Sequence, residues 1–189
     1  EIAIARYNEH GTLDLIEKIY LRDGQATPHG VVSQSDGKII VVGSSISEFN
    51  KNIFTIIRLN KNGSRDTSFG ANGVMIITPT GYTSDDAYAT SVALDEHENI
   101  IVMGYTIAAN GYNYFSLVRL TKDGALDADF GDLGIKNISL NSAKNVPNKN
   151  TTPVVGAIQN DYKKLALASN YSSTEPRTSD QLALARFLN

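Results

Sequence analysis

The chain has no cysteine and no tryptophan, and the first absence removes whole classes of chemistry. Without cysteine there is no disulfide framework, no thiol nucleophile and no thiolate ligand for zinc. Histidine is scarce. His10, His29 and His97 lie far apart in turn-like segments, and they do not converge in a spacing that a metal site or a catalytic base would need. No Gly-rich phosphate loop and no Ser nucleophile elbow is present. No apolar run approaches the roughly 18 residues of a membrane span, so no membrane insertion is expected. Charge of one sign is also lacking: 17 Lys and Arg against 20 Asp and Glu leave a net charge of −3. That balance argues against nucleic acid as the partner. What remains is 41% hydrophobic and 20% charged over 189 residues, the composition of a folded chain with a real core. Residue 1 is Glu and a strand-like run follows at once, with no signal peptide visible. The expectation is a mature product or an excised piece of a longer protein.

Internal repetition is the dominant signal. The segment Asp36-Gly37-Lys38-Ile39-Ile40-Val41-Val42-Gly43 returns as Glu98-Asn99-Ile100-Ile101-Val102-Met103-Gly104, and more faintly as Lys163-Lys164-Leu165-Ala166-Leu167-Ala168-Ser169. An apolar run around an arginine occurs four times, at Arg6, Arg58, Arg119 and Arg186, with spacings of 52, 61 and 67 residues. A turn with Gly and a closing Asp follows three of them: Gly11 and Asp14, Gly63 and Asp66, Gly124 and Asp127. Ser68-Phe69-Gly70 with Gly73 is matched by Asp129-Phe130-Gly131 with Gly134. Each unit reads as four short strands, a to d. Asp36-Gly37 between apolar runs predicts a tight a–b hairpin of type I′. Strand b is apolar at consecutive positions rather than alternate ones, as a strand buried on both faces requires. Four strands in 50 to 60 residues is the pattern of a β-propeller blade.

The expected fold is therefore all-β, a β-propeller-like array of four-stranded antiparallel blades, about three blades plus one extra strand. Its divisions are a partial blade at 1–25, blades at 26–85 and 86–150, and a partial blade at 151–189. The residues Ser35-Asp36-Gly37-Lys38-Ile39-Ile40-Val41-Val42-Gly43, Arg58-Leu59-Asn60, Asn62-Gly63-Ser64 and Asp66-Thr67-Ser68-Phe69-Gly70 with Gly73-Val74 resemble the delta-60 repeat, a β-propeller-like repeat of bacterial proteins. The resemblance is closest in the second unit. The last unit departs from it, with Tyr162-Lys163-Lys164 at the expected Asp-Gly-Lys. The resemblance implies a bacterial source and an extracellular or cell-surface setting, and it carries no single activity.

The arginine and aspartate of each unit keep an offset of eight: Arg6 with Asp14, Arg58 with Asp66, Arg119 with Asp127. Arg58 shares strand parity with Phe54 and Ile56, so it needs a carboxylate partner where it is buried. These pairs are expected to be structural, holding each repeat. The loop from Asn60 to Asp66 superficially resembles a calcium loop. It lacks the alternate oxygen ligands and the closing Glu, and Lys61 and Arg65 would sit beside the ion. No metal and no cofactor is expected. Asp85-Asp86 and Asp95-Glu96 with Glu98 are acidic clusters in connections, where solvated carboxylates are the default over a glycosidase pair. The Asn-X-Ser/Thr sequons at Asn62, Asn137, Asn150 and Asn170 are read as chance.

The b–c connections, taken as Ser44–Ile53, Tyr105–Asn113 and Ser169–Gln181, differ among units, as do the d–a connections. Both emerge at one end of a blade, where repeat proteins place binding. Phe49, Tyr82, Tyr105, Tyr112 and Tyr171 fall there and are the weak ligand-binding candidates. The function expected is a non-enzymatic structural or interaction module, with another protein or another copy of itself as partner. The alternative is a lectin-like module that takes glycan on these aromatics, and a hydrolase or lyase ranks last. Three blades and a surplus strand do not close a ring of about four to eight blades. The chain alone is therefore expected to be at least a dimer, or to stay with the remainder of its parent.

Overall fold

A computed structural model describes residues 2–20, 26–109, 113–139, 152–158, 164–171 and 181–188, the last three stretches as backbone strands. Strands β1 (Ile2–Tyr7) and β2 (Leu13–Ile19) form a two-stranded sheet. β3 (Ala26–Ser33), β4 (Ile39–Ile46), β5 (Asn52–Leu59) and β6 (Val74–Ile77) form a four-stranded sheet in that order. β7 (Asp86–Leu94), β8 (Ile100–Ile107), β9 (Asn113–Leu120) and β10 (Ile135–Ser139) form the next. β11 (Thr152–Ile158), β12 (Lys164–Tyr171) and β13 (Gln181–Leu188) form a three-stranded sheet. Every pairing is antiparallel between chain neighbours, and the described residues contain no helix. This is the all-β, blade-like architecture that the repeats predict.

Alternate side chains of a strand point to opposite faces, and both faces are apolar here. Ile39, Val41, Ile57 and Leu59 pack against Ile2 and Ile19 of the first sheet. Ile40, Val42, Phe54 and Ile56 pack against Ile100, Val102, Val118 and Leu120 of the next. On the far face of that sheet Ile101, Met103, Phe115 and Leu117 form a third cluster, and β11 lies against β7 and β8. The sheets thus stack in chain order. Full burial of one such side chain contributes about 1.5–3 kcal/mol, more than a typical hydrogen bond. The stack is therefore held first by these faces.

Two sequence expectations change. The β3–β4 turn is not type I′. Only Gly37 has a positive φ (86°), the Gly37 amide donates to the Gln34 carbonyl, and the Gln34 amide donates to the Lys38 carbonyl. That is a type I turn closed by a left-handed glycine, the three-residue hairpin with a bulge. The b–c connections are also shorter than expected, because the strands run on: they are 47–51, 108–112 and 172–180. The first two are equal in length. Among the connections up to 139, the d–a links, 20–25 and 78–85, differ in length, and so does the first c–d link, 8–12, from the later two, 60–73 and 121–134.

The loop between β5 and β6 repeats between β9 and β10 bond for bond. The Asp66 amide donates to the Arg58 carbonyl, the Phe69 amide to the Asp66 carbonyl and the Gly73 amide to the Phe69 carbonyl, as Asp127, Phe130 and Gly134 do 61 residues later. The first sheet has a plain hairpin instead, with Arg6 opposite Leu15. Phe69 is fully buried and belongs to the cluster between the two four-stranded sheets. Phe69→Ala is expected to cost about 3–5 kcal/mol, read as a lower urea midpoint. A loss below about 1 kcal/mol would show that the loop does not anchor the stack.

Candidate functional site

The three arginine–aspartate pairs are bonded through one pattern. Arg6 Nε donates to Asp14 Oδ2 at 2.6 Å, Arg58 Nε to Asp66 Oδ2 at 2.8 Å and Arg119 Nε to Asp127 Oδ2 at 2.7 Å. Burial grades them: the side chains are 34% and 49% exposed in the first pair, 4% and 8% in the second, 17% and 14% in the third. Each of the two inner arginines also lies 4.7 Å from a ring centroid, Arg58 over Phe69 and Arg119 over Phe130. That geometry adds a cation–π contact to the ion pair.

One further nitrogen each of Arg6 and Arg58 reaches into the next sheet. Arg6 Nη1 donates to the Lys61 carbonyl at 2.7 Å and Arg58 Nη1 to the Lys122 carbonyl at 3.0 Å. Lys122 also accepts from Gln34 Nε2. Two residues beyond each carbonyl stands a glycine that touches the sheet before it. A Cβ on Gly124 would lie 2.4 Å from the Phe69 ring, and one on Gly63 would lie 2.8 Å from Leu15. Leu15 thus takes in the first sheet the place that phenylalanine takes in the second. The cross-sheet bonds were not legible in the sequence, because their acceptors are backbone carbonyls. The repeated Phe-Gly beside each Arg and Asp was the available signal.

Asp66 also accepts from the Ser68 amide and hydroxyl at 3.1 and 2.6 Å. Burial alone would raise its pKa. The Ser68 bonds and the Arg58 charge outweigh that and hold it below the ordinary value.

Glu96 is exposed, as expected of a solvated carboxylate, and Asp85 and Asp86 are not, contrary to expectation. Asp85 is buried, accepting from Thr80 Oγ1 at 2.7 Å and from the Ala109 amide at 2.9 Å. Asp86 opens β7. It accepts from Lys51 Nζ, the Asn52 amide and Asn52 Nδ2, which ties the preceding sheet's 47–51 loop to this one. Burial pushes its pKa up, and these donors outweigh the burial and bring it below the ordinary value. Asp95 closes its turn on the His97 and Asn99 amides. Glu98 reaches back to the Ser35 amide at 2.7 Å. In the loop likened to a calcium site, Asn62 Oδ1 accepts from the Ser64 amide and hydroxyl. The described residues hold no cluster of three or more His, Asp or Glu able to hold a metal ion.

The aromatic candidates are not one surface. Tyr105 is a β8 residue stacked on Tyr88 at 4.9 Å, and burial raises the pKa of both. Phe49 and Tyr82 are exposed. Phe49 lines a cavity of about 980 Å³ with Tyr20, Ser47, Arg65, Ile76 and Thr78, and Tyr82 does not. Tyr112 and the sequon at Asn150 lie outside the described residues, and Asn170 and Tyr171 are described only as backbone of β12. Asn137 is engaged, accepting from Ser116 Oγ and donating to the Pro79 carbonyl.

With this geometry in place, comparison with known proteins gives a family match. A family model described as a domain of unknown function (DUF5122) beta-propeller matches residues 34–69 and 99–130. Both matched segments end on or next to the loop phenylalanine, Phe69 or Phe130, and enclose the arginine and aspartate. The repeat is thus of β-propeller type. No curated protein matches the chain.

Removing one partner of a buried ion pair costs about 3–5 kcal/mol, against about 0.2–1 for an exposed one. Arg58→Ala is expected to lose several times more stability than Arg6→Ala, with Arg119→Ala between them, in chemical denaturation. Equal losses would contradict the burial order. Asp66 and Asp86 titrate below the ordinary Asp value of 3.8 in the folded chain. Their stabilisation is whole above that value and is lost as pH falls through it toward the folded-state values. Stability should therefore drop steeply below about pH 4, and Asp66→Asn should flatten that limb. An unchanged acid limb in Asp66→Asn would remove Asp66 from this role.

Proposed function

We propose that the chain is a non-enzymatic structural and interaction module, a segment of a β-propeller in a bacterial surface or secreted repeat protein of the delta-60 type. Its partner is another protein or another copy of itself. One observation carries the reading: the repeated charged groups are spent on internal bonds. Arg6 and Arg58 clamp one sheet to the next, and Asp66, Asp85, Asp86 and Asp95 accept from amides, hydroxyls or cations of their own or neighbouring segments. A general acid or nucleophile needs a free, positioned group facing substrate. No helix among the described residues is long and apolar enough to cross a membrane.

A second reading has one specific observation in its favour: Phe49 and Tyr82 are large aromatics left exposed on the loops that carry the d–a and b–c links. Stacking on such rings is how many sites take sugars. A hydrolase and lyase panel together with a glycan array tests both readings. Under the first, turnover is absent and any glycan signal is indifferent to Phe49→Ala and Tyr82→Ala. Glycan binding lost in either variant would put the lectin reading first. Turnover abolished by Asp86→Asn at unchanged melting temperature would overturn both.

A further inference from the structure

The last strand of each sheet runs at an open edge. Such an edge offers unpaired amides and carbonyls to any extended chain, and charged side chains are a common guard against it. The three last strands with described side chains differ in this respect. β2 carries Asp14, Glu17 and Lys18, and β10 carries Lys136. β6, Val74-Met75-Ile76-Ile77, carries no charge. Ile76, opposite Thr55, stands where β2 has Lys18 opposite Ala3, and Met75, opposite Ile56, stands where β10 has Lys136 opposite Leu117.

Bonded and non-bonded pairs alternate along an antiparallel ladder. The Arg58 amide donates to the Gly73 carbonyl, so the next bonded pairs are Ile56 with Met75 and Phe54 with Ile77. Val74 and Ile76 therefore turn their amides and carbonyls outward. Ala71 takes both groups of Val74. Those of Ile76 meet no partner strand among the described residues. The cavity of about 980 Å³ runs along this edge, lined by Val74, Met75 and Ile76 in succession and by exposed Tyr20 and Phe49. Arg65 lines it too, at a place where the other loops have Leu13 and Leu126 just before their aspartates. Arg65 Nη2 donates to the Tyr20 carbonyl, and among the described residues no carboxylate lies within salt-bridge distance of Arg65. The sheets before and after β3–β6 pack on its two faces. Further blades at either end of the array would lengthen that stack and leave this edge as it is.

We propose that the β6 edge is a docking site for an extended segment of another protein, added as a fifth strand along the cavity. The proposal rests on the interaction-module reading and gives the partner its chemistry. The segment carries apolar side chains at alternate positions, one face of it meeting Tyr20, Phe49 and Ile76, and one carboxylate for Arg65. Glu48 lines the same cavity and disfavours a uniformly acidic segment. The hollow selects this occupant over a second copy, which would bring the same concavity and nothing that projects to fill it.

A spotted library of capped random heptapeptides, probed with the full chain, tests this. The expected binders alternate apolar residues and carry one Asp or Glu. Ile76→Pro removes the outward amide at a place where an edge strand tolerates proline, and Ile76→Lys puts on β6 the charge that β2 has there. Each is expected to weaken binding of the selected peptides at least about tenfold with an unchanged melting transition. Arg65→Glu is expected to exchange the selected acid for Lys or Arg. In the complex of the unsubstituted chain the Ile76 amide, followed by NMR hydrogen exchange, is expected to become protected, a readout that requires no variant to fold. No selected peptide, binding indifferent to both Ile76 variants, or an unprotected Ile76 amide in the complex would overturn the proposal. An unaltered acid preference in Arg65→Glu would overturn the carboxylate assignment. A dimer in light scattering that Ile76→Lys dissociates would put a second copy on the edge and overturn the partner segment. Turnover in the enzymatic panel would sink the module reading whatever the peptides do, whereas a library without binders sinks the docking site alone.

Discussion

A largely enclosed arginine in the third strand of each four-stranded sheet, Arg58 and Arg119, is the constraint on which the array depends. Arg58 is almost fully enclosed, and its charge cannot be left unpaired there without a cost of several kcal/mol. Its three nitrogens are met by three different structures: Asp66 in its own loop, Ser68 beside it, and the Lys122 carbonyl in the following sheet. The Phe69 ring lies under the guanidinium, and Gly124 of the next sheet touches the same ring. One cation therefore fixes a loop, a ring and a neighbouring turn together. Apolar faces alone tolerate sliding, since burial is non-directional. The fork of donors sets the register in which two sheets meet.

The clamp also accounts for the composition of the loops. Asp66 takes a donor two residues on, the Ser68 amide and hydroxyl, and Asp127 takes the Asp129 amide alone. Lys61 and Lys122 contribute backbone, so any residue serves at those places. The opposite end of the stack is held by different means. Asp86 binds the preceding loop, and buried hydroxyl pairs, Ser45 with Thr55 and Thr106 with Ser116, satisfy each other between strands. In β10 Asn137 adds a third partner to its pair, where β6 has Ile76. The cavity beside Thr55 and Ile76 lies at that difference.

Much of this was legible in the sequence, because repetition states itself. The offset of eight between Arg58 and Asp66, with the apolar parity of Arg58, pointed to a paired buried charge. The apolar run Ile39–Val42 pointed to a strand covered on both faces, and all four residues are buried. What was not legible depended on backbone. The acceptors Lys61 and Lys122 act through carbonyls, which no side-chain pattern reveals. The strands β4 and β8 continue past Gly43 and Gly104 because polar Ser45 and Thr106 find partners inside the sheet, and that extension moved Tyr105 from a loop into a strand. Asp85 and Asp86 looked solvated because their donors, the Ala109 and Asn52 amides, come from loops distant in sequence.

The central claim is that Arg58 joins two sheets and does not merely close its own loop. Hydrogen exchange followed by mass spectrometry on Arg58→Met tests it most directly. The account requires protection to fall both in residues 66–73 and in the turn at 121–125, whose Gly124 amide bonds within that turn in the intact chain. Loss of protection confined to 66–73, with the 121–125 turn exchanging as in the unsubstituted chain, would contradict it.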